Sequence, residues 1–170
     1  MTTAITAPAE LPRWSSRVPR GQDREQLLDL FTEPDFYFRT ERPRFLPERE
    51  IDEILGDGAR LLLADGQLAG LYAFDAEGSP HGCHFSLNLR LRASAPLPWW
   101  ISAYHELDRA IRWQREVVRL SMHFAEFDAR GLRAARAMGL TEEGTLAGVA
   151  VHDGRRHGRV FFSRTWRPAS

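Results

Sequence analysis

The chain has 170 residues, 43% apolar and 27% charged, with 23 basic and 23 acidic side chains and a formal net charge of zero. That length suits one domain with a core of its own, and the charge balance leaves no electrostatic footprint for nonspecific nucleic-acid or membrane binding. A single cysteine excludes an intramolecular disulfide, and no apolar run approaches the roughly 20 residues of a membrane span. Every basic residue is arginine. Without lysine, neither a Schiff base to pyridoxal phosphate nor a Walker-type phosphate loop is available. The first residues, MTTAITAPAELP, lack the basic start and apolar block of a signal peptide, so a reducing cytoplasm is the expected location.

Residues 1–16 are rich in Ala, Thr and Pro and read as a loosely ordered segment with one short strand near Trp14–Val18; residues 17–170 read as a single domain. Gly21–Phe31 predicts a helix, with Asp23 as its cap and Leu27, Leu28 and Phe31 on one face. Thr32–Phe45 mixes aromatics, prolines and arginines without a period and reads as a structured loop. Pro47 opens a second helix that Gly56 ends. Arg60–Ala64 and Gln67–Phe74 flank Asp65-Gly66, a hairpin turn signal. A strand over Gly82–Arg92 is broken by Pro96 and Pro98, and Trp99–Arg115 follows as a long amphipathic helix with Trp100, Tyr104 and Leu107 as a core stripe. Val117–Phe124 is apolar and β-branched enough for a strand. Asp128 then caps a helix carrying Leu132, Ala135 and Met138 at helical spacing, and Gly139 stops it. Gly144–Val151 and Arg159–Thr165 close the chain as a hairpin around Asp153-Gly154. The order β, α, α, β, β, β, α, β, α, β, β predicts one α/β (mixed α+β) domain with a central, mixed but mostly antiparallel sheet.

From about Val18 to Trp166 this order resembles the GNAT superfamily of N-acyltransferases. The residues that carry the likeness are Asp128 after the fifth strand, Gly139-Leu140 and Glu143-Gly144 beyond the next helix, and the closing hairpin. The resemblance implies helices on both faces of the sheet and fourth and fifth strands that splay apart. It implies acetyl-CoA or another acyl-CoA in that opening, and direct transfer to a small-molecule amine or a peptide N-terminus; no metal is expected. Two marks of the family are altered. The phosphate-cradling turn aligns with Arg92-Ala93-Ser94-Ala95-Pro96-Leu97, where the glycine-type positions are lost and a proline removes a donor. The tyrosine usual on the helix after the fifth strand falls near Ala135. Arg90, Arg92 and Ser94 are then the side chains left to meet CoA phosphates. The resemblance also admits a carrier-protein thioester as donor in an enzyme of specialised metabolism, a noncatalytic ligand-binding relative, and a homodimer. Absence of lysine fits a GC-rich genome, and equally an enzyme that avoids acylating itself.

Strand alternation nominates the chemistry. On the fourth strand His84, Ser86, Asn88 and Arg90 share one face, opposite Cys83, Phe85, Leu87 and Leu89; on the fifth, Arg119, Ser121 and His123 share one face, opposite Leu120, Met122 and Phe124. If the two strands are neighbours, a polar band lines one side of the sheet, either facing solvent or lining a covered cavity. His84 or His123 is the expected general base, since imidazole titrates near neutral pH, with Glu126 and Asp128 as carboxylate alternatives and helix capping as the competing role of Asp128. Ser86, Asn88 and Ser121 join them as substrate-binding candidates. The segment Phe36-Tyr37-Phe38-Arg39 lies in the loop that in the family closes over the acceptor, and it reads either as part of that site or as a core plug. His81, Cys83 and His84 have metal-like spacing, but adjacent strand residues point to opposite faces, so no metal is expected there.

Overall fold

The computed structural model describes residues 10–79 and 81–167. The expectation of a loose N-terminal segment falls largely on residues 1–9, outside the described residues. The elements run β1 (Trp14–Arg17), α1 (Arg24–Thr32), α2 (Glu48–Leu55), β2 (Arg60–Ala64), β3 (Gln67–Ala76), β4 (His84–Leu91), α3 (Leu97–Gln114), β5 (Arg119–Ala125), α4 (Ala129–Ala137), β6 (Thr141–His152) and β7 (Arg155–Thr165), with short 3₁₀ turns ahead of α1 and α2. The order is the one the sequence predicts. The strands form one seven-stranded sheet, β1-β2-β3-β4-β5-β7-β6, antiparallel throughout except for the parallel pair β4–β5.

Each face of the sheet carries a pair of helices. Phe85, Leu87, Leu89 and Leu91 of β4 and Leu120, Met122 and Phe124 of β5 pack with Trp100, Tyr104 and Leu107 of α3, with Ala134 and Ala135 of α4 and with Met138 at its C-terminal cap. On the other face, Leu27, Leu30 and Phe31 of α1 and Ile51 and Leu55 of α2 pack with Leu61, Leu68, Leu71 and Ala73 of β2 and β3. Burying both faces is what makes β4 apolar on alternate residues and still enclosed on its polar side.

Two local features differ from the sequence expectation. Asp23 does not cap α1 with its side chain; it is 4% exposed and its carboxylate accepts from Arg20 N–H at 2.7 Å and from both terminal nitrogens of Arg17 at 2.6 Å, tying β1 to the start of α1. Pro98 does not delay α3, which begins at Leu97 with Pro98 in its first turn, where no intrahelical N–H bond is required.

β4 and β5 pair only at His84↔Arg119, Phe85↔Leu120 and Ser86↔Ser121. Beyond Ser86 each strand keeps its other neighbour, β3 or β7, and the two part. A wedge therefore opens through the middle of the sheet, flanked at its wide end by the N-termini of α3 and α4.

Candidate active site

The wedge opens into a cleft of about 590 Å³. Its floor is β4 from Ser86 to Arg90 and β5 from Met122 to Ala125; its roof is the loop between α1 and α2; its rim includes Phe127, Asp128 and Arg159. Among the residues nominated from sequence, Tyr37, Phe38, Arg39, Ser86, Asn88, Arg90 and His123 line this one space. Ser86, Asn88, Arg90 and His123 of the polar band thus form a wall of the cleft, with His123 still exposed.

His123 is the free imidazole of the cleft. It sits mid-strand on β5, its ring 5.6 Å from that of Phe161, with no hydrogen-bond partner among the described residues. Although the residue keeps accessible surface, the cleft walls displace water from its ring, and this lowers its pKa; the Arg159 guanidinium adds to the lowering and Glu77 opposes it. A histidine lowered in this way is neutral, and able to accept a proton, at neutral pH. His84 lies instead where β4 and β5 are still paired, its Nε2 hydrogen-bonded to Ser121 Oγ; neither residue lines the cleft. Glu126 is likewise engaged, accepting the Gly158 backbone N–H and fixing the end of β5 against β7.

The wall is braced by ion pairs. Asp75 of β3 accepts from Arg39 at 2.6 Å and from Asn88 Nδ2 at 2.8 Å, which holds both side chains against the sheet. Arg159 of β7 pairs with Glu41 at 2.6 Å, and Glu41 also accepts the Val151 N–H at 3.0 Å, so the α1–α2 loop is pinned to the closing hairpin over the cleft. Arg39 takes φ 53°, a conformation its bidentate partner Asp75 helps hold. Glu77 and Glu50 line the cleft, their carboxylates without an ion-pair or hydrogen-bond partner among the described residues.

The aromatic run divides by alternation. Phe36 and Phe38 are 0% and 1% exposed and belong to the core beneath α1 and α2, so for Phe36 a core plug is what the structure shows, and Phe38 reaches the cleft only as part of its roof. Tyr37 points the other way. Its ring lies edge-on to Phe127 at 5.3 Å and under the Arg90 guanidinium at 5.5 Å, and burial, with Asp128 and Asp35 nearby, raises its pKa so that the phenol stays protonated.

Arg90 was expected at CoA phosphates and is placed otherwise. It is 2% exposed and forms a bidentate pair with Asp128, which is equally buried and also caps α4 by accepting the Gly131 N–H at 2.9 Å. The pair crosses the wedge from β4 to α4, against Trp100 and Phe124. Arg92 and Ser94 lie at the turn between β4 and α3, outside the cleft lining. Cys83 is also outside it, and burial followed by the nearby Glu116 raises its thiol pKa. Among the described residues no group of three or more His, Cys, Asp or Glu is disposed around a common metal position, and no helix is long and apolar enough to cross a membrane.

Sequence reasoning missed Asp75, Glu77, Glu50, Phe127 and Arg159. Asp75 pairs with Ser86 across β3–β4, so extending the face assignment from β4 to its hairpin partner would have recovered Asp75 and, two residues on, Glu77. Glu50 and Arg159 reach the cleft through tertiary packing that local patterning does not encode.

Solved structures superpose on nearly the whole chain. They include the acetyltransferase from Salmonella typhimurium that modifies the N-terminal serine of the 50S ribosomal subunit protein L7/L12 (TM-score 0.75, 14% identity, covering 94% of this chain and 98% of that one). The ribosomal-protein-alanine N-acetyltransferase from Brucella melitensis matches with a TM-score of 0.69 at 15% identity, over 89% of this chain and 99% of that one. A ribosomal L7/L12 α-N-protein acetyltransferase in complex with coenzyme A matches with a TM-score of 0.72 at 14% identity, over 93% of this chain and 96% of that one. No family model and no curated protein sequence matches the chain. The chain has the GNAT acetyltransferase fold.

Proposed function

We propose that the protein is an N-acyltransferase that moves an acyl group, acetyl in the simplest case, from an acyl-CoA thioester to an amine bound in the cleft. The observation that carries this reading is the wedge between β4 and β5 opening directly onto a cleft that contains His123, without a hydrogen-bond partner among the described residues and with its pKa lowered. The backbone of β4 beyond Ser86 has no strand partner on its β5 side, so N–H groups there are free to receive a thioester arm and its carbonyl oxygen. The fold shared with acetyltransferases, one of them bound to coenzyme A, supports the donor class.

In this reading the acceptor enters as an ammonium. Glu77 and Glu50, carboxylates without partners in the cleft, attract it, and His123 takes its proton so that the nitrogen lone pair is available. Tyr37 and Phe127 form an apolar edge for the acceptor's carbon skeleton, and Ser86 and Asn88 hold its polar groups against the sheet. The chain contributes position, a base and strand dipoles, with no covalent enzyme intermediate. Its setting is a soluble compartment, and the acceptor is a small-molecule amine or a peptide N-terminus.

The test is acetyl transfer from acetyl-CoA to a panel of amines and N-terminal peptides, followed by mass spectrometry, with His123→Ala alongside. Transfer that falls by at least about a hundredfold in the variant supports the reading. Absence of transfer to every acceptor, together with no binding of any pantetheine thioester, defeats it.

A further inference from the structure

The wide end of the wedge is where a donor's far end must leave the protein, and the two helix N-termini flanking it are the natural places for an anion. The N-terminus of α4 and the turn that leads into α3 already hold a carboxylate of this chain. Asp128 caps α4 at Gly131 N–H, 2.9 Å away. At the turn before α3, Glu33 accepts the Ala93 N–H at 2.7 Å. In the rest of that turn Ala95 N–H bonds Arg92 C=O at 3.0 Å, Trp99 N–H bonds Pro96 C=O at 2.9 Å, and Pro96 and Pro98 have no N–H to offer.

Two of the cations at this end are also matched, while Arg92 has no salt-bridge partner and a buried Nε without a hydrogen bond among the described residues. Arg130 of α4 donates to the Leu91 and Arg92 carbonyls at 2.6 and 3.0 Å and pairs with Asp35 at 3.1 Å, while Arg90 is committed to Asp128. Glu33 and Asp35 both come from the segment that leaves α1, so one short stretch delivers two carboxylates to the position a diphosphate would approach. A diphosphate arriving there meets the like charge of Glu33 and Asp35 and finds the Ala93 amide already taken.

We propose that this protein recognises its donor as a pantetheine thioester, that the nucleotide diphosphate of CoA contributes nothing to binding, and that Glu33 is the residue that excludes it. The proposal rests on the acyl-transfer reading and names the donor class for the same site. Acyl-CoA, a free acyl-pantetheine and an acylated phosphopantetheine arm on a carrier protein share the chemistry that the wedge accepts. The transferred bond is the same in each: the amine nitrogen gains the acyl carbon, the carbon–sulfur bond breaks, and of the two protons the ammonium nitrogen gives up, one is held by His123 and the other leaves on the sulfur as the pantetheine thiol.

The experiment is calorimetric titration of the whole chain with CoA and with pantetheine, paired with transfer assays using acetyl-CoA, acetyl-pantetheine and an acetylated carrier protein. CoA and pantetheine are expected to bind within about threefold of each other, and acetyl-pantetheine to be used as well as acetyl-CoA. A carrier-protein donor used better than both identifies the source of the arm. CoA binding more than about thirtyfold tighter than pantetheine overturns the proposal while leaving acyl transfer intact. Glu33→Gln keeps an acceptor on the Ala93 amide and removes the charge, so the turn is preserved. It is expected to raise CoA affinity roughly fivefold with pantetheine unchanged, and an unchanged ratio rules Glu33 out as the discriminator. If neither ligand binds and no thioester is turned over, the acyl-transfer reading itself fails, and the donor proposal with it.

Discussion

The buried Arg90–Asp128 pair offers the sharpest test of how the wedge is held. Both side chains are 2% exposed, and no other carboxylate forms a salt bridge with Arg90 among the described residues. Asp128→Asn keeps a side-chain oxygen for the Gly131 N–H and so isolates the charge from the cap. Removing one partner of a buried pair strands the other and costs about 3–5 kcal/mol. For a chain of this size each kcal/mol moves the midpoint by about 2–4 °C, so a fall of roughly 6–20 °C is expected in a thermal melt followed by circular dichroism. Urea denaturation gives the free energy directly and shows from its slope whether the denatured state has changed. The double variant Arg90→Met with Asp128→Leu removes both charges and is expected to recover part of the loss, though its cap remains missing. A fall below about 2 °C in Asp128→Asn would mean that water or a mobile neighbour solvates Arg90, and the description of the pair as a sealed cross-brace would be wrong.

Further outcomes follow from the surroundings of three residues. His123 is held below the ordinary histidine value, so the rate of acyl transfer is expected to keep its basic plateau down to a pH under about 6.5, and His123→Ala should abolish that limb; a limb unchanged in the variant assigns the titration elsewhere. The same lowering means that the unfolded chain binds the proton first as pH falls through about 6.5, so His123 makes folded stability decrease from there downward, as pH-dependent urea midpoints of wild type and variant will read. Gly131→Ala would ordinarily favour a helix by up to about 1 kcal/mol, but its new methyl group would overlap the Asp128 carboxylate and the Phe124 ring, so a lower melting midpoint is expected and a raised one would refute the packing. Asp23→Asn removes the charge that Arg17 and Arg20 N–H satisfy, and should cost about 1.5–3 kcal/mol in urea. Since Asp23 is held below the usual carboxylate range, its contribution is present above about pH 4 and is lost as pH falls through the lowered folded value, a dependence that Asp23→Asn should erase.

What could be read from the chain divides by the range of the interaction that decides it. Element order came through because hairpin turns at Asp65-Gly66 and Asp153-Gly154, the Asp128 cap and the stop at Gly139 are all settled within a few residues. The face assignment of β4 and β5 came through for a related reason: a period of two survives whatever packs against the sheet. Arg90 shows where that logic ends. Alternation assigns it to the polar face, but a guanidinium on a long stem is free to reach a ligand or a carboxylate, and only the arrival of Asp128 from 38 residues away makes it a brace. His84 and His123 make the same point, since they are equivalent by face and differ only because His84 stands where the strands still pair and finds Ser121, whereas His123 stands beyond the parting. Phe36 and Tyr37 are neighbours in one aromatic run, yet one is sealed in the core and the other opens to the cleft, a division that depends on where α1 and α2 seat the loop. Local patterning therefore nominates the strands that carry chemistry, while the choice among their residues is made by the wedge. That wedge exists because β4 and β5 stop pairing after three residues, a fact of tertiary closure on which no stretch of sequence bears alone.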